Sequence, residues 1–350
     1  MKLTRRPSIR IARQSEITRR RHAHNYNVMG RQRAATGKWD EARALLSRAL
    51  SFDPNLATAL RAIAGVEFSS GNIALAKEYL ERALQFEPQD PEALQLQGNL
   101  ALAEGNPHAA LDAYHQVEAS AGSSSELTFN IGLAHFLLAE GAEAVASFEK
   151  LVADEPENHR AWDALGCAQQ MVSNYLAAHQ AFLRALEIDA RFNDARDHLA
   201  QLLLSVGHPQ EAQQVLRTAL AQEPKRHASR HLLGLAYITT QHFHKAVECW
   251  SAIIADQAAQ ADTYHLLANA YLELNDRVNA MHTLELLLAQ YPDHLEGHLQ
   301  LALLLLENGN NELGWQHLEH AHTLDPLNPT VKTAYATARM IAPRTHDGKQ

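Results

Sequence analysis

Small and large apolar residues recur along this chain with a period of 34 residues, and polar residues fill the places between them. Ala42, Ala76, Ala110, Ala144, Ala178, Ala212, Ala246 and Ala280 keep that spacing without slippage, and Gly314 takes the next place in the series. With each unit numbered from Ala23 onward, the eighth place is always small: Gly30, Ala64, Gly98, Gly132, Gly166, Ala200, Gly234, Ala268 and Ala302. The twenty-fourth is always large and apolar: Leu46, Leu80, Tyr114, Phe148, Phe182, Leu216, Trp250, Leu284 and Leu318. Nine units run from Ala23 to Asn328 with no insertion. Places 4, 7, 8 and 11 share one face of a helix at about 100° per residue, which predicts an amphipathic first helix, A. A second helix, B, is expected to meet it at the eighth and twentieth places, where short side chains permit close approach. A unit of this kind cannot bury its apolar face alone and stacks on its neighbours.

Helix-stopping residues fall in the same frame. Pro54, Pro88, Pro156, Pro224, Pro292 and Pro326 close units at the thirty-second place, where a residue that cannot continue a helix ends B. Gly37, Gly71, Gly105, Gly207 and Gly309 mark the turn between A and B. Pro107 and Pro209 open B helices and Pro91 and Pro329 open A helices, in the first turn that tolerates proline.

On these residues the chain resembles the tetratricopeptide repeat (TPR) family. Unit one carries the pattern as Tyr26, Met29, Gly30, Ala42, Leu46, Ala49 and Pro54, and unit five as Trp162, Leu165, Gly166, Ala178, Phe182 and Ala185. Departures are local: Gln97 replaces a leucine, Arg196, Arg230 and His298 replace the first large apolar residue, and units three, five and seven lack the closing proline. The resemblance implies an all-α fold, a right-handed α–α superhelix or TPR solenoid with a C-terminal capping helix. The expected organisation is a basic arm over 1–22, a nine-repeat array over 23–328, a capping helix over 329–342 and a polar tail over 343–350.

Charge divides the chain. Residues 1–34 hold ten Lys or Arg against Glu16 alone, a net of +9 in a chain of −9, which leaves −18 for the rest. A basic arm tethered to an acidic array has several outlets. Arg5, Arg6, Arg10, Arg13, Arg19, Arg20 and Arg21 would contact nucleic acid or an anionic membrane, or the arm would occupy the array's own acidic groove. Ile9, Ile11 and Ile17 make no continuous membrane-binding face, and the arm has no aromatic residue for base stacking. Cys167 and Cys249 stand far apart, so reduced thiols in a cytoplasmic protein are expected. No apolar run reaches the roughly 18–20 residues that span a bilayer, and polar residues follow the Arg5–Arg6 pair where an export signal would be apolar.

On each A helix, places 2, 5, 9, 12 and 13 lie opposite the packing face and are expected to line a groove. The side chains expected to contact a partner there are Gln95, Asn99, Phe129, Asn130, Arg160, Asp163, Asp197, Gln201, His231, His265 and Asn269, with Asn27, Arg31 and Arg61 on the same face. TPR co-chaperones hold acidic C-termini with a clamp of cationic and asparagine side chains; Asn99, Asn130 and Arg160 match three of its five places, while Gln95 and Ala164 stand where cations belong. The expectation is therefore an amide-lined groove that binds an extended peptide through its backbone. Alanine at Asn99, Asn130 and Arg160 should weaken binding without loss of helicity.

Histidine is abundant, at 21 residues, with pairs at helical spacing such as His227/His231, His294/His298 and His317/His320. A zinc site needs further ligands, and no HExxH or cysteine companion stands beside these pairs, so no metal and no cofactor are expected. Phosphate-binding loops, nucleophile elbows and Cys–His arrangements are likewise missing from the sequence. The chain reads as a non-enzymatic scaffold that holds a peptide or helix of a partner protein, for complex assembly, secretion or chaperone-type recruitment.

Overall fold

The computed structural model describes the backbone of residues 9–341 and the side chains of residues 16–340. Two compact units divide the chain, Met1–Ala178 and His179–Gln350. The first contains α1 (Ile9–Ala35), α2 (Trp39–Phe52), α3 (Ala57–Ser69), α4 (Ile73–Phe86), α5 (Pro91–Ala103), α6 (Pro107–Ala121), α7 (Ser125–Leu137), α8 (Gly141–Asp154) and α9 (His159–Met171). The boundary falls inside α10 (Tyr175–Ile188). The second holds α11 (Asn193–Ser205), α12 (Pro209–Gln222), α13 (His227–Thr239), α14 (Phe243–Ala255), α15 (Ala261–Glu273), α16 (Arg277–Gln290), α17 (Leu295–Glu307), α18 (Asn311–Leu324) and α19 (Pro329–Ile341). No strand occurs among the described residues.

Within the first unit, α1 packs on α2, α3 on α4, α5 on α6 and α7 on α8, and each A helix also touches the next one. The twenty-fourth-place side chains are the core, each at most 2% exposed. Their nearest partners explain the small eighth place. A Cβ built on Gly98 would stand 2.2 Å from the Tyr114 ring, and one on Gly132 2.7 Å from Phe148. The large side chain of B thus roofs the glycine of A, while the twentieth-place alanines Ala42, Ala76, Ala110 and Ala144 are fully buried. In the second unit the same pairing sets Gly234 under Trp250, and Val331, Ala334 and Ala338 of α19 close the core formed by Leu299, Trp315 and Leu318.

The turn from A to B needs a left-handed residue at the fifteenth place of every unit. Gly37, Gly71, Gly105, Gly207 and Gly309 supply it with φ between 72° and 84°. Ala139, Ser173, Gln241 and Asn275 adopt φ of 59–61° at the same place without being glycine. An L side chain is disfavoured there. Ala139→Gly is therefore expected to stabilise the first unit by about 0.5–1 kcal/mol, read by chemical denaturation, because Ala139 is exposed and loses no packing. A lower midpoint would contradict this.

At the fourth place, three departures from the repeat pattern have a structural reason. Arg196 donates to the Ala190 carbonyl at 2.6 Å, Arg230 donates to that of Pro224, and His298 Nε2 donates to that of Pro292 at 2.7 Å. Trp162 Nε1 makes the same bond to Pro156 O at 2.9 Å. Each ties an A helix to the loop six residues before it and satisfies a carbonyl that the preceding helix end leaves open.

Residues 9–22, set apart as an arm by charge, form the first half of α1. Glu16 and Arg20 pair there at 2.7 Å across one helical turn. Arg19, Arg20 and Arg21 are exposed; Arg5 and Arg6, and the side chains of Arg10 and Arg13, lie outside the described residues.

Candidate functional site

In the first unit the A helices line a pocket of about 440 Å³. Arg31 and Ala34 of α1, Arg61, Ala62, Gly65, Val66 and Ser69 of α3, Glu92, Gln95, Leu96 and Asn99 of α5, and Glu126 of α7 surround it, and Trp39 closes one side from the start of α2. Most of these fall at places 2, 5, 9, 12 and 13, the face opposite the packing stripe.

Its base is held by charge. Asp90 caps the start of α5 by accepting from the Glu92 amide at 3.2 Å, and it also pairs with Arg61. Arg61 Nη2 reaches Glu92 Oε2 at 2.6 Å, so a guanidinium only 11% exposed is bracketed by two carboxylates. Arg31 is half exposed and stands 4.0 Å from the same Glu92 oxygen. It is the cation of the pocket with capacity to spare for a ligand.

An amide ladder fixes the wall. Tyr114 donates its hydroxyl to Asn99 Oδ1 at 2.7 Å, and Asn130 Nδ2 donates to the same oxygen at 3.1 Å. Burial pushes the Tyr114 phenol well above its ordinary range, so it remains a donor. With its oxygen occupied twice, Asn99 offers a ligand its Nδ2–H donors, which suit the carbonyls of an extended backbone. Similar bonds join neighbouring A helices elsewhere, from Asn27 to Thr58 at 2.9 Å and from Gln300 to Asn269.

Of the groove-facing residues expected from sequence, Arg31, Arg61, Gln95 and Asn99 line this pocket. Asn130 braces it through Asn99. Phe129 is half buried, its ring 5.7 Å from that of Phe148, so part of it belongs to the core. Arg160 is exposed on α9, and Asp163 is buried there. In the second unit Asp197 is spent inside the fold: one carboxylate oxygen accepts from Arg226 at 2.7 Å and the other from Ser229 at 2.5 Å. Arg226, at the end of the same repeat, and Ser229, from the next, convert an expected ligand contact into a buried brace. Gln201 is exposed, and Asn269 gives its oxygen to Gln300. His231 and His265 are half buried, and burial lowers the pKa of each. Asn99→Ala also carries a stability cost not expected from sequence, since it strands the buried Tyr114 hydroxyl, worth about 1–3 kcal/mol. Trp39, Glu92, Leu96 and Glu126 are pocket residues that sequence reasoning did not single out. Glu92 and Glu126 do occupy the second place of the groove-facing set, whereas Trp39 comes from helix B and has no signal in the A-helix period.

Family comparisons cover most of the array. Residues 146–264 match the TPR domain of cytochrome c-type biogenesis protein H. Residues 33–100, 96–159 and 262–294 match three tetratricopeptide repeat families. The chain is a tetratricopeptide repeat protein. This TPR protein is 25% identical over 215 residues to Protein CTR9 homolog of Arabidopsis thaliana, a match covering 59% of this chain and 20% of that protein. It is 26% identical over 164 residues to Protein O-mannosyl-transferase Tmtc3 of Drosophila melanogaster, covering 46% of this chain and 18% of that one. The chain thus spans about a fifth of the length of these relatives. Among solved structures, a tetratricopeptide repeat protein from Parabacteroides merdae superposes with a TM-score of 0.55 at 16% identity, covering 81% of this chain and 98% of that one. The type IV pilus biogenesis factor PilW gives 0.56 at 16% identity, covering 60% and 98%. These likenesses show the fold, an all-α TPR solenoid. The TPR fold supports a protein–protein interaction scaffold with protein or peptide partners. No helix among the described residues is long and apolar enough to cross a membrane.

Proposed function

We propose that the first unit binds an extended segment of a partner protein in the pocket between α1, α3 and α5, and that the chain works as a non-enzymatic assembly scaffold. The observation that carries this reading is the composition of that pocket. Unshared amide donors at Asn99 and the Gln95 side chain face a cavity walled by Trp39, Leu96 and Val66, with Arg31 and Glu126 available for charged flanks. Backbone carbonyls of the ligand meet the amides, and an apolar side chain fills the space beside Trp39. Clamp-type capture of a terminal carboxylate fits less well, because Arg61 is already neutralised by Asp90 and Glu92. Of assembly, secretion and chaperone recruitment, assembly draws support from the likeness of residues 146–264 to the TPR domain of a cytochrome c-type biogenesis protein. The compartment in this reading is the cytoplasm, since Cys167 and Cys249 stand far apart along the chain and are in no disulfide, as in a reducing compartment.

Gly65 provides the test. It lines the pocket, and a Cβ there meets no atom within 4 Å. Gly65→Leu projects a side chain into the cavity from a position where a Cβ has room, and it removes a mid-helix glycine. Peptides selected from a random dodecapeptide library on the full-length protein are expected to bind this variant at least tenfold more weakly, while the first unit gains up to about 1 kcal/mol of stability. Undiminished binding with raised stability would refute the site. Gln95→Ala is expected to weaken the same peptides about fivefold, the worth of one amide hydrogen bond.

A further inference from the structure

Histidines paired by spacing in the sequence gain a third member in the fold. His317 and His320 lie one turn apart on α18, and α17 packs against that helix with His298 buried between them. His298 Nε2 donates its proton to the Pro292 carbonyl at 2.7 Å. That bond fixes the tautomer, so Nδ1 carries a lone pair. Nδ1 faces His317 Nδ1 at 2.9 Å. The ring of His320 lies over that of His298 with centroids 4.4 Å apart, and its Nε2 is 4.0 Å from Asp293 Oδ1.

We propose that His298, His317 and His320, with Asp293 beside them, form a binding site for a divalent transition metal ion of the copper(II) or nickel(II) class. Two nitrogen donors at right angles on one ion, each at about 2.0–2.1 Å, stand about 2.9 Å apart, which is the separation that His298 and His317 present. As matters stand, that short contact holds together only if His317 carries its proton on Nδ1. When the metal enters, His317 shifts the proton to Nε2, and two lone pairs meet the ion with no net proton released. His320 is about half exposed, its ring tilted 40° to that of His298, and a turn about its side-chain torsions brings a third nitrogen to the ion. Asp293 is the oxygen donor within reach. The Pro292 carbonyl is the outer partner that orients a metal-bound imidazole and raises its basicity. A right-angled set rich in nitrogen suits copper(II) or nickel(II) better than the tetrahedral preference of zinc.

The test uses the full chain without any histidine tag. Copper(II), nickel(II) and zinc(II) are titrated by competition against a chromophoric chelator, for the unaltered protein, for His317→Ala/His320→Ala, and for a control that removes the exposed pair His108→Ala/His115→Ala on α6. One equivalent of copper(II) or nickel(II) is expected to bind with a Kd below about 10 μM, to raise the melting temperature, and to give a copper resonance spectrum with nitrogen couplings. The double α18 variant is expected to lose at least tenfold in affinity and the control to lose nothing. Equal binding by all three proteins, or no binding to the unaltered chain at that strength, overturns the site. Should the double variant unfold, His320→Ala alone, at an exposed position, decides the matter by the same tenfold criterion.

Discussion

Trp250→Ala is expected to cost about 3–5 kcal/mol in the second unit, the largest effect of any single truncation considered. Trp250 is fully buried and lies over Gly234, whose missing Cβ leaves the indole room to settle 2.6 Å from where that carbon would be. Trp250→Phe separates size from polarity. The indole Nε1 is buried with no hydrogen-bond partner, so phenylalanine also removes an unsatisfied donor and should cost only about 1–2 kcal/mol. Because arrays of repeats do not unfold in one step, the readout is hydrogen exchange over α13 and α14. Equal exchange in the alanine and phenylalanine variants would show that the twenty-fourth place does not carry the packing assigned to it.

Glu67→Gln is expected to lower the stability of the first unit by about 2–3 kcal/mol and to flatten its acid dependence. The Glu67 carboxylate is 1% exposed at the end of α3, where it accepts from Arg43 Nε at 2.5 Å and from Asn72 Nδ2 at 2.7 Å. It therefore ties α2 to the turn that opens α4. The loss stays below that of a fully buried pair because Arg43 is a third exposed and keeps Asp40 as a second partner at 2.7 Å. The hydrogen bond from Arg43 holds the Glu67 pKa below its ordinary value. A carboxylate depressed in the folded state stabilises above its unfolded pKa, near 4.3, and that contribution disappears as pH falls through the folded value. Stability measured between pH 7 and pH 3 should thus drop more steeply in the unaltered protein than in Glu67→Gln. Parallel pH curves would contradict the assignment.

The repeat and its packing were legible because they depend on one helix pair at a time. Small residues at the eighth place and large ones at the twenty-fourth reveal each other in the sequence, and Pro91, Pro107, Pro209 and Pro329 mark helix starts wherever they occur. Other features depend on a neighbour that no local pattern names. Arg196, Arg230 and His298 read as faults in an apolar stripe until their bonds to loop carbonyls are seen, and the indole of Trp162 does the same work in a residue that fits the stripe. Ala139 and Ser173 carry no sign of the left-handed turn they adopt. The helical period placed Gln95 and Asn99 on the face of α5 that lines the pocket, but it could not show that Arg226 and Ser229 would absorb Asp197, or that Trp39 would wall a pocket from the adjoining helix.

The central claim, that the A-helix pocket of the first unit is where a partner polypeptide lies, is tested most directly by site-specific photocrosslinking in the native host. A benzophenone amino acid is placed at position 95, inside the pocket, or at position 115, an exposed histidine on α6. Crosslinks from position 95 to a contiguous stretch of one partner, absent from position 115 and suppressed by Gly65→Leu, are the predicted result. The same partner crosslinked equally from both positions, unaffected by filling the pocket, would contradict the account.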